Sequence, residues 1–331
     1  SEIRSFLSEK RRNSTMEVFS KLLESLRIDS RYIGGNKRNN CQLTNLQLFQ
    51  LLIFIPFFSI KGFSHYPASI LSRMFGGKKD ILYSFMAQDN IDWRNLIYRI
   101  TTKLISNVTV RTDFKKSYLP VVLISDDSDL PKSGMKMESI GKTYSHVHQK
   151  CILGYKTLML CWSDGRTQFM LDASLHGEKG KVQGKEQGLT AKQREHRYNR
   201  QRSQTSHIAK RKEEYFMSKG NKRVEMVKRA IRAKIPFEYL LVDSWFTCTG
   251  LVEFVSKCHK KFHLLGIAKM ENTKYTTKEW GKISAKAIIG KQKYSKTIKY
   301  SHRYRCHYTM VNATLGSRAI RLFFCRRGKE N

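Results

Sequence analysis

LISDDSDLPKSG, residues 123–134, is the stretch on which the rest of the sequence turns. An apolar run, Val121 to Ile124, stops at three carboxylates: Asp126, Asp127 and Asp129. VVLIS (121–125) has the unbroken apolar character of a strand buried on both faces. Acids at the end of such a strand are unexpected in a chain whose formal net charge is +35.

That charge points to a polyanionic partner. Nucleic acid is the usual one, because each neutralised phosphate releases counterions. The 331 residues are 40% hydrophobic and 11% aromatic, enough for a packed core and unlike a disordered chain. The seven cysteines are scattered and form no Cys-x-x-Cys pair, which reads as reduced thiols. Cys258 and His263 lack further ligands nearby and read as packing residues. The most apolar run, LLIFIPFF (51–58), is too short to span a bilayer and holds Pro56. These features imply a cytoplasmic protein with no membrane partner.

Residues 1–112 read as a helical N-terminal domain. Thr44 with Gln47 fits a capping box. Trp93, Leu96, Ile97, Ile100 and Leu104 recur at helical spacing. From residue 113 the pattern becomes mixed α/β, to about residue 271. KCILGYKTLMLCW (150–162) and RTQFMLDASL (166–175) are strands, and Asp164-Gly165 between them is a hairpin signal. A basic segment then runs from Lys179 to Arg223. NKRVEMVKRAIRAK (221–234) is an amphipathic helix with Val224, Val227 and Ile231 on its apolar face. FEYLLVDSWF (237–246) is the next strand and also ends on an acid, Asp243, with Trp245 read as core. A helix (251–258) and a strand (262–269) follow. Residues 272–331 read as β-rich, with Tyr304, Cys306, Tyr308 and Met310 alternating along one strand and Ile320, Leu322 and Phe324 along another.

Two carboxylates at strand ends, Asp127 and Asp243, have the chemistry to hold Mg²⁺, with Mn²⁺ as a substitute, if their strands are neighbours in one sheet. Hard cations take oxygen ligands, and Mg²⁺ uses one or two carboxylates plus phosphates. Two such metals ~4 Å apart activate a nucleophile and stabilise a leaving oxygen. The same residues also suit plain structure: an Asx turn before Pro131, and a helix cap at Asp243. Asp126 is the alternative first acid. Parity lets only one of Asp126 and Asp127 share the face of Ile124 if the strand continues.

ISDDSDLPKSG, IGKTYSHVHQKCILGYK, FMLDASLHGEKGK and YLLVDSWF together resemble the DDE transposases of bacterial insertion sequences, in the cut-and-paste group with a Tyr-Arg-Glu-Lys signature. The resemblance spans about residues 115–331. It implies a ribonuclease-H-like mixed sheet with flanking helices, with residues 272–331 as a β-rich insertion. It implies catalysis and metal binding by Asp127 and Asp243, and DNA cleavage and strand transfer at terminal inverted repeats. It also implies a homodimer on DNA, associated with a bacterial nucleoid. The family's third acid lies in Tyr, two residues, Arg, three residues, Glu, six residues, Lys. No such run follows Asp243; Glu253, Glu271, Glu279 and Glu330 lack that context. The expectation is a transposase truncated before its last acid and inactive alone. Its rivals are a transposase-derived DNA-binding protein and a ribonuclease-H-like nuclease.

Candidate DNA contacts are Lys132, His146, His148, Lys179, Lys181, Lys185, Lys192, Arg194, Arg197 and Arg200. His146 and His148 alternate on what reads as a strand, where they line a polar face or touch DNA. The segment after Lys179 reads as a solvated loop or a DNA-tracking one. Trp280 is a candidate for stacking on an unpaired base.

Overall fold

The computed structural model describes residues 21, 24–26, 28, 30–35, 41–111, 119–180, 182–293 and 297–327. It is a mixed α/β fold with two sheets. The chain divides into two compact units: one drawn from Ser1–Ser117, Asp129–Thr157 and Met170–Met217, the other from Tyr118–Ser128, Leu158–Phe169 and Ser218–Asn331. No helix among the described residues is long and apolar enough to cross a membrane.

After a single helical turn at Ser30–Ile33, the first unit contains helices α1 (Asn45–Phe57), α2 (Ile70–Phe75), α3 (Lys79–Met86) and α4 (Trp93–Arg111). Thr44 and Gln47 form the expected capping box on α1, and Pro56 falls in its last turn, where it withholds one i→i−4 hydrogen bond just before the helix ends. Leu48, Phe49, Phe85, Ile91 and Leu96 pack into one apolar cluster, and Leu51, Phe54, Tyr66, Leu71 and Leu82 into another. The polar side of α4 is not simply solvated. Arg94 reaches both Asp172 and Glu214, at 2.8 and 2.6 Å, and the Asp172 side chain is fully buried. An ion cluster so buried is stable only because every charge has a partner.

The first sheet has the order β2-β3-β1-β5-β6, with β4 also paired to β3. Its strands are β1 (Val122–Pro131), β2 (Gly141–Ser145), β3 (Lys150–Ser163), β4 (Gln168–His176), β5 (Tyr239–Val242) and β6 (His263–Gly266). β1 runs through the acids rather than stopping before them. The Lys132 N–H, just past its end, still donates to the Leu153 carbonyl of β3 at 2.8 Å. Gly154 explains itself here: a Cβ on it would lie 2.2 Å from the Leu130 carbonyl oxygen. β2, unforeseen in the sequence, pairs antiparallel with the start of β3. SHVHQK is therefore a hairpin turn, not a strand, and His146 and His148 sit exposed in it. The turn is held by His148 N–H to Ser145 Oγ and Gln149 Nε2 to the His146 carbonyl, with Gln149 at φ 51°.

The basic segment after β4 is folded. It contains α5 (Ala191–Glu195), with its own capping box, and α6 (His207–Glu214), with Leu189 and Tyr215 buried alongside. The crossover helix α7 (Lys219–Arg232) departs from expectation. It buries Met226, Val227 and Ala230, but also Lys222 and Arg223. Helix α8 (Thr249–Lys257) links β5 to β6. Trp245, read as core, is 68% exposed, because it lies in the turn after β5 and not in the strand.

The second sheet has the order β11-β10-β7-β8, with β9 on β10. Its strands are β7 (Lys274–Thr277), β8 (Gly281–Ser284), β9 (Lys299–Ser301), β10 (Cys306–Leu315) and β11 (Arg318–Arg327), with α9 (Ala285–Gln292) packed on it. The phase expected for β10 is off by one. Val311, Ala313 and Leu315 face the core with Leu322, while Met310 is exposed. Small and polar residues at the inward positions had hidden the true alternation. Trp280 packs against this core.

Candidate active site

β1 and β5 are neighbours and parallel, in the register Val122↔Tyr239, Leu123↔Leu240, Ile124↔Leu241 and Ser125↔Val242. The next positions along the two strands are Asp126 and Asp243. Side chains in register on adjacent strands share a face. The acid across from Asp243 is thus Asp126, and Asp127 turns to the opposite face with Ser125. By this parity Asp127, the expected first acid, lies one residue out of phase with Asp243, and the alternative, Asp126, lies in phase with it.

The surroundings of the three acids follow this parity. Asp126 is exposed, and its Oδ1 accepts the Asp127 N–H at 2.8 Å. Asp243 is half-buried and caps the single turn Ser244–Phe246, its Oδ1 accepting the Ser244 N–H at 2.5 Å. Asp127 is ion-paired with Lys219, at the start of α7. Asp129, further on, pairs with Lys156. Burial alone would raise the Asp129 carboxyl, but hydrogen bonds from Lys156 and Ser145 and the charges of Lys156 and His148 hold it below its ordinary value.

Beneath the acids lies a residue that sequence reasoning missed. Arg223 is 1% exposed. Its Nε donates to Ser125 Oγ at 2.7 Å, and its guanidinium carbon lies 3.3 Å from the centre of the Phe246 ring. Its Nη2 is buried without a hydrogen-bond partner among the described residues, an arrangement that costs about 1–3 kcal/mol. Burial pulls the guanidinium down to about 10, while Cys248, Asp127 and Asp126 pull it up. It remains charged at neutral pH. The helical periodicity of 221–234 held a clue, since the buried stripe Met226, Val227 and Ala230 carries Arg223 along its edge.

The basic candidates fall in the first unit, the three strand-end acids in the second. Lys179, Lys185 and Lys192 are exposed, and Lys132 is half-buried. Arg194 pairs with Glu186, Arg197 donates to the Ile140 carbonyl and to Gln187, and Arg200 donates to the Ala87 carbonyl. Lys181 lies outside the described residues. All seven cysteines are free thiols. Among the described residues, no group of three or more His, Cys, Asp or Glu side chains is placed to hold a metal ion. The pair Asp126 and Asp243 offers two hard oxygen donors, the kind and number that Mg²⁺ takes from protein when phosphates and water supply the rest.

Comparison with curated proteins finds no match. Three solved structures align weakly. A piggyBac transposase synaptic complex with hairpin DNA is 12% identical over 95% of this chain and 59% of its own, with a TM-score of 0.34. The Drosophila P element transposase strand transfer complex is 9% identical over 83% and 55%, with a TM-score of 0.31. The Mos1 strand transfer complex is 13% identical over 70% and 61%, with a TM-score of 0.21. The chain thus spans less than two thirds of each of those chains. Residues 65–260 match the family described as DDE superfamily endonuclease, a span that includes both strand-end acids. That match covers more than half of the sequence, and the chain belongs to the DDE superfamily endonucleases.

Proposed function

We propose that the protein is a DNA transposase of the DDE type, binding the terminal inverted repeats of its own element and working by a cut-and-paste route. One observation carries the reading: β1 and β5 are parallel neighbours in register as far as Ser125↔Val242, and Asp126 and Asp243 are the next residue of each chain segment. Within this reading the first sheet and its helices, residues 113–271, form a ribonuclease-H-like catalytic domain. Residues 1–112 form a helical DNA-binding domain, and residues 272–331 a β-rich insertion. The net charge of +35 suits DNA as partner, with a homodimer assembled on it.

Asp126 and Asp243 are the residues that would hold Mg²⁺, or Mn²⁺ in its place. When bound, the ion supplies Lewis-acid stabilisation of charge on phosphodiester oxygens. The chain's own part is to fix the two carboxylates. β1 and β5 set their register, and the Ser244 N–H orients Asp243. Lys219 neutralises Asp127 and keeps that acid out of the pair. Exposed lysines, among them Lys179, Lys185 and Lys192, supply contacts to the DNA backbone.

The test uses DNA taken from both flanks of the protein's own coding sequence. Binding of Mn²⁺ and metal-dependent nicking or strand transfer are measured for the wild type, Asp126→Asn, Asp127→Asn and Asp243→Asn. Loss in the first and third variants, with retention in Asp127→Asn, is expected. Retention in Asp126→Asn with loss in Asp127→Asn would restore Asp127 as the ligand. DNA binding that ignores metal in every protein would leave a DNA-binding protein instead.

A further inference from the structure

Arg223 touches both segments that carry the acids. On one side it holds Ser125, the last residue of β1 in register with β5 and the neighbour of Asp126. On the other it lies against Phe246, which ends the turn that Asp243 caps. Ser125 is itself 1% exposed, and Phe246 is buried. A buried guanidinium with an unpartnered Nη2 among the described residues is costly, and a hydrophobic side chain would fill the same helix position without that penalty. The planar group does what no aliphatic side chain does: its edge donates to a hydroxyl while its face covers a ring.

We propose that Arg223 is a positioning residue, a clamp that fixes the end of β1 against the turn behind Asp243 and so sets the spacing of Asp126 and Asp243 for a divalent cation. The inference rests on the reading of those two acids as metal ligands. Arg223 does not touch the ion; it acts through Ser125 and Phe246. Lysine cannot replace it, because an ammonium has no planar face to lay on the ring while it reaches the hydroxyl.

The experiment titrates Mn²⁺ alone into the purified protein and reads free ion by electron paramagnetic resonance, with thermal melting as the check of folding. Arg223→Lys and Arg223→Gln are expected to weaken binding about 10- to 100-fold, the usual cost of losing a group that orients metal ligands. Ser125→Ala and Phe246→Leu remove each half of the clamp with less risk to the fold and are expected to weaken binding in the same direction. Wild-type affinity in folded Arg223→Lys, or in both Ser125→Ala and Phe246→Leu, overturns the clamp. Tighter binding in folded Arg223→Gln also overturns it, since the buried charge would then act only by repelling the cation. Asp126→Asn separates the two claims. If it binds Mn²⁺ like the wild type, or if the wild type binds none, the metal reading itself fails.

Discussion

The parallel strands β1, β5 and β6 have one closed face and one open face. On the closed face Leu123 and Leu240 are fully buried, Ser125 meets Arg223, and Asp127 meets Lys219. On the open face Ile124 and Leu241 are half-buried, while Leu265 and Ile267 are 61% and 63% exposed. Asp126 and Asp243 directly follow the last registered pair, Ser125↔Val242, and fall on the open face by parity. Parallel strands are ordinarily covered on both sides, so this asymmetry is informative. The acid on the closed face, Asp127, stands next to the helix that covers it and is neutralised there by Lys219. An acid on the open face keeps its water and can exchange it for a cation. The period of two alone turns the adjacent residues Asp126 and Asp127 to opposite faces of the strand.

The largest effect that tests the contrast is on stability. Leu240→Ala, on the closed face, is expected to cost about 2–5 kcal/mol in urea unfolding. Leu265→Ala, on the open face, is expected to stay within about 0.5 kcal/mol. Equal costs would mean that the open face is covered in solution, and sedimentation would then tell whether a second copy covers it.

Next in size is the ion pair behind the acids. Lys219→Ala and Asp127→Asn each remove a pair whose side chains are 29% and 27% exposed. Water screens such a pair, so each change is expected to cost at most about 1 kcal/mol and to leave Mn²⁺ affinity near the wild-type value. A large loss of Mn²⁺ affinity in Asp127→Asn would erase the distinction between the faces.

Much of the fold was legible because it obeys strong local rules. The capping box at Thr44, the Asp164-Gly165 hairpin and the strand that ends just before Asp243 are written in residue type and spacing, whereas β1 continues through its acids to Pro131. The amphipathic crossover helix was legible as a helix, but not in which cations it buries. Periodicity assigns charge to the solvent side, and only the tertiary partners Ser125 and Phe246 place Arg223 inside. The phase of Asp126 and Asp127 relative to Asp243 comes from the register of β1 with β5, a long-range fact that no short stretch contains. β2 was missed because Gly141–Ser145 is short and polar, and it gains its place by pairing with β3. The phase of β10 failed because Thr309 and Ala313 on its inward side do not look like core.

The smallest effect concerns the third acid of the DDSD run and separates an acid that serves the fold from the acids proposed to hold the cation. Asp129 is held below its ordinary value in the folded chain, burial opposing and Lys156, Ser145 and His148 prevailing. A carboxyl depressed on folding stabilises the protein at pH above its unfolded value, ~3.9, and loses that contribution as pH falls through the folded value. Asp129→Asn is therefore expected to melt below the wild type at pH 7, with the gap shrinking in acid and closing once the wild-type carboxyl is protonated. Because the change removes no strand-end acid, Mn²⁺ affinity at pH 7 is expected to hold. A gap that persists unchanged in strong acid would mean that the Lys156 contact contributes nothing through charge, and that Asp129 matters only by its shape.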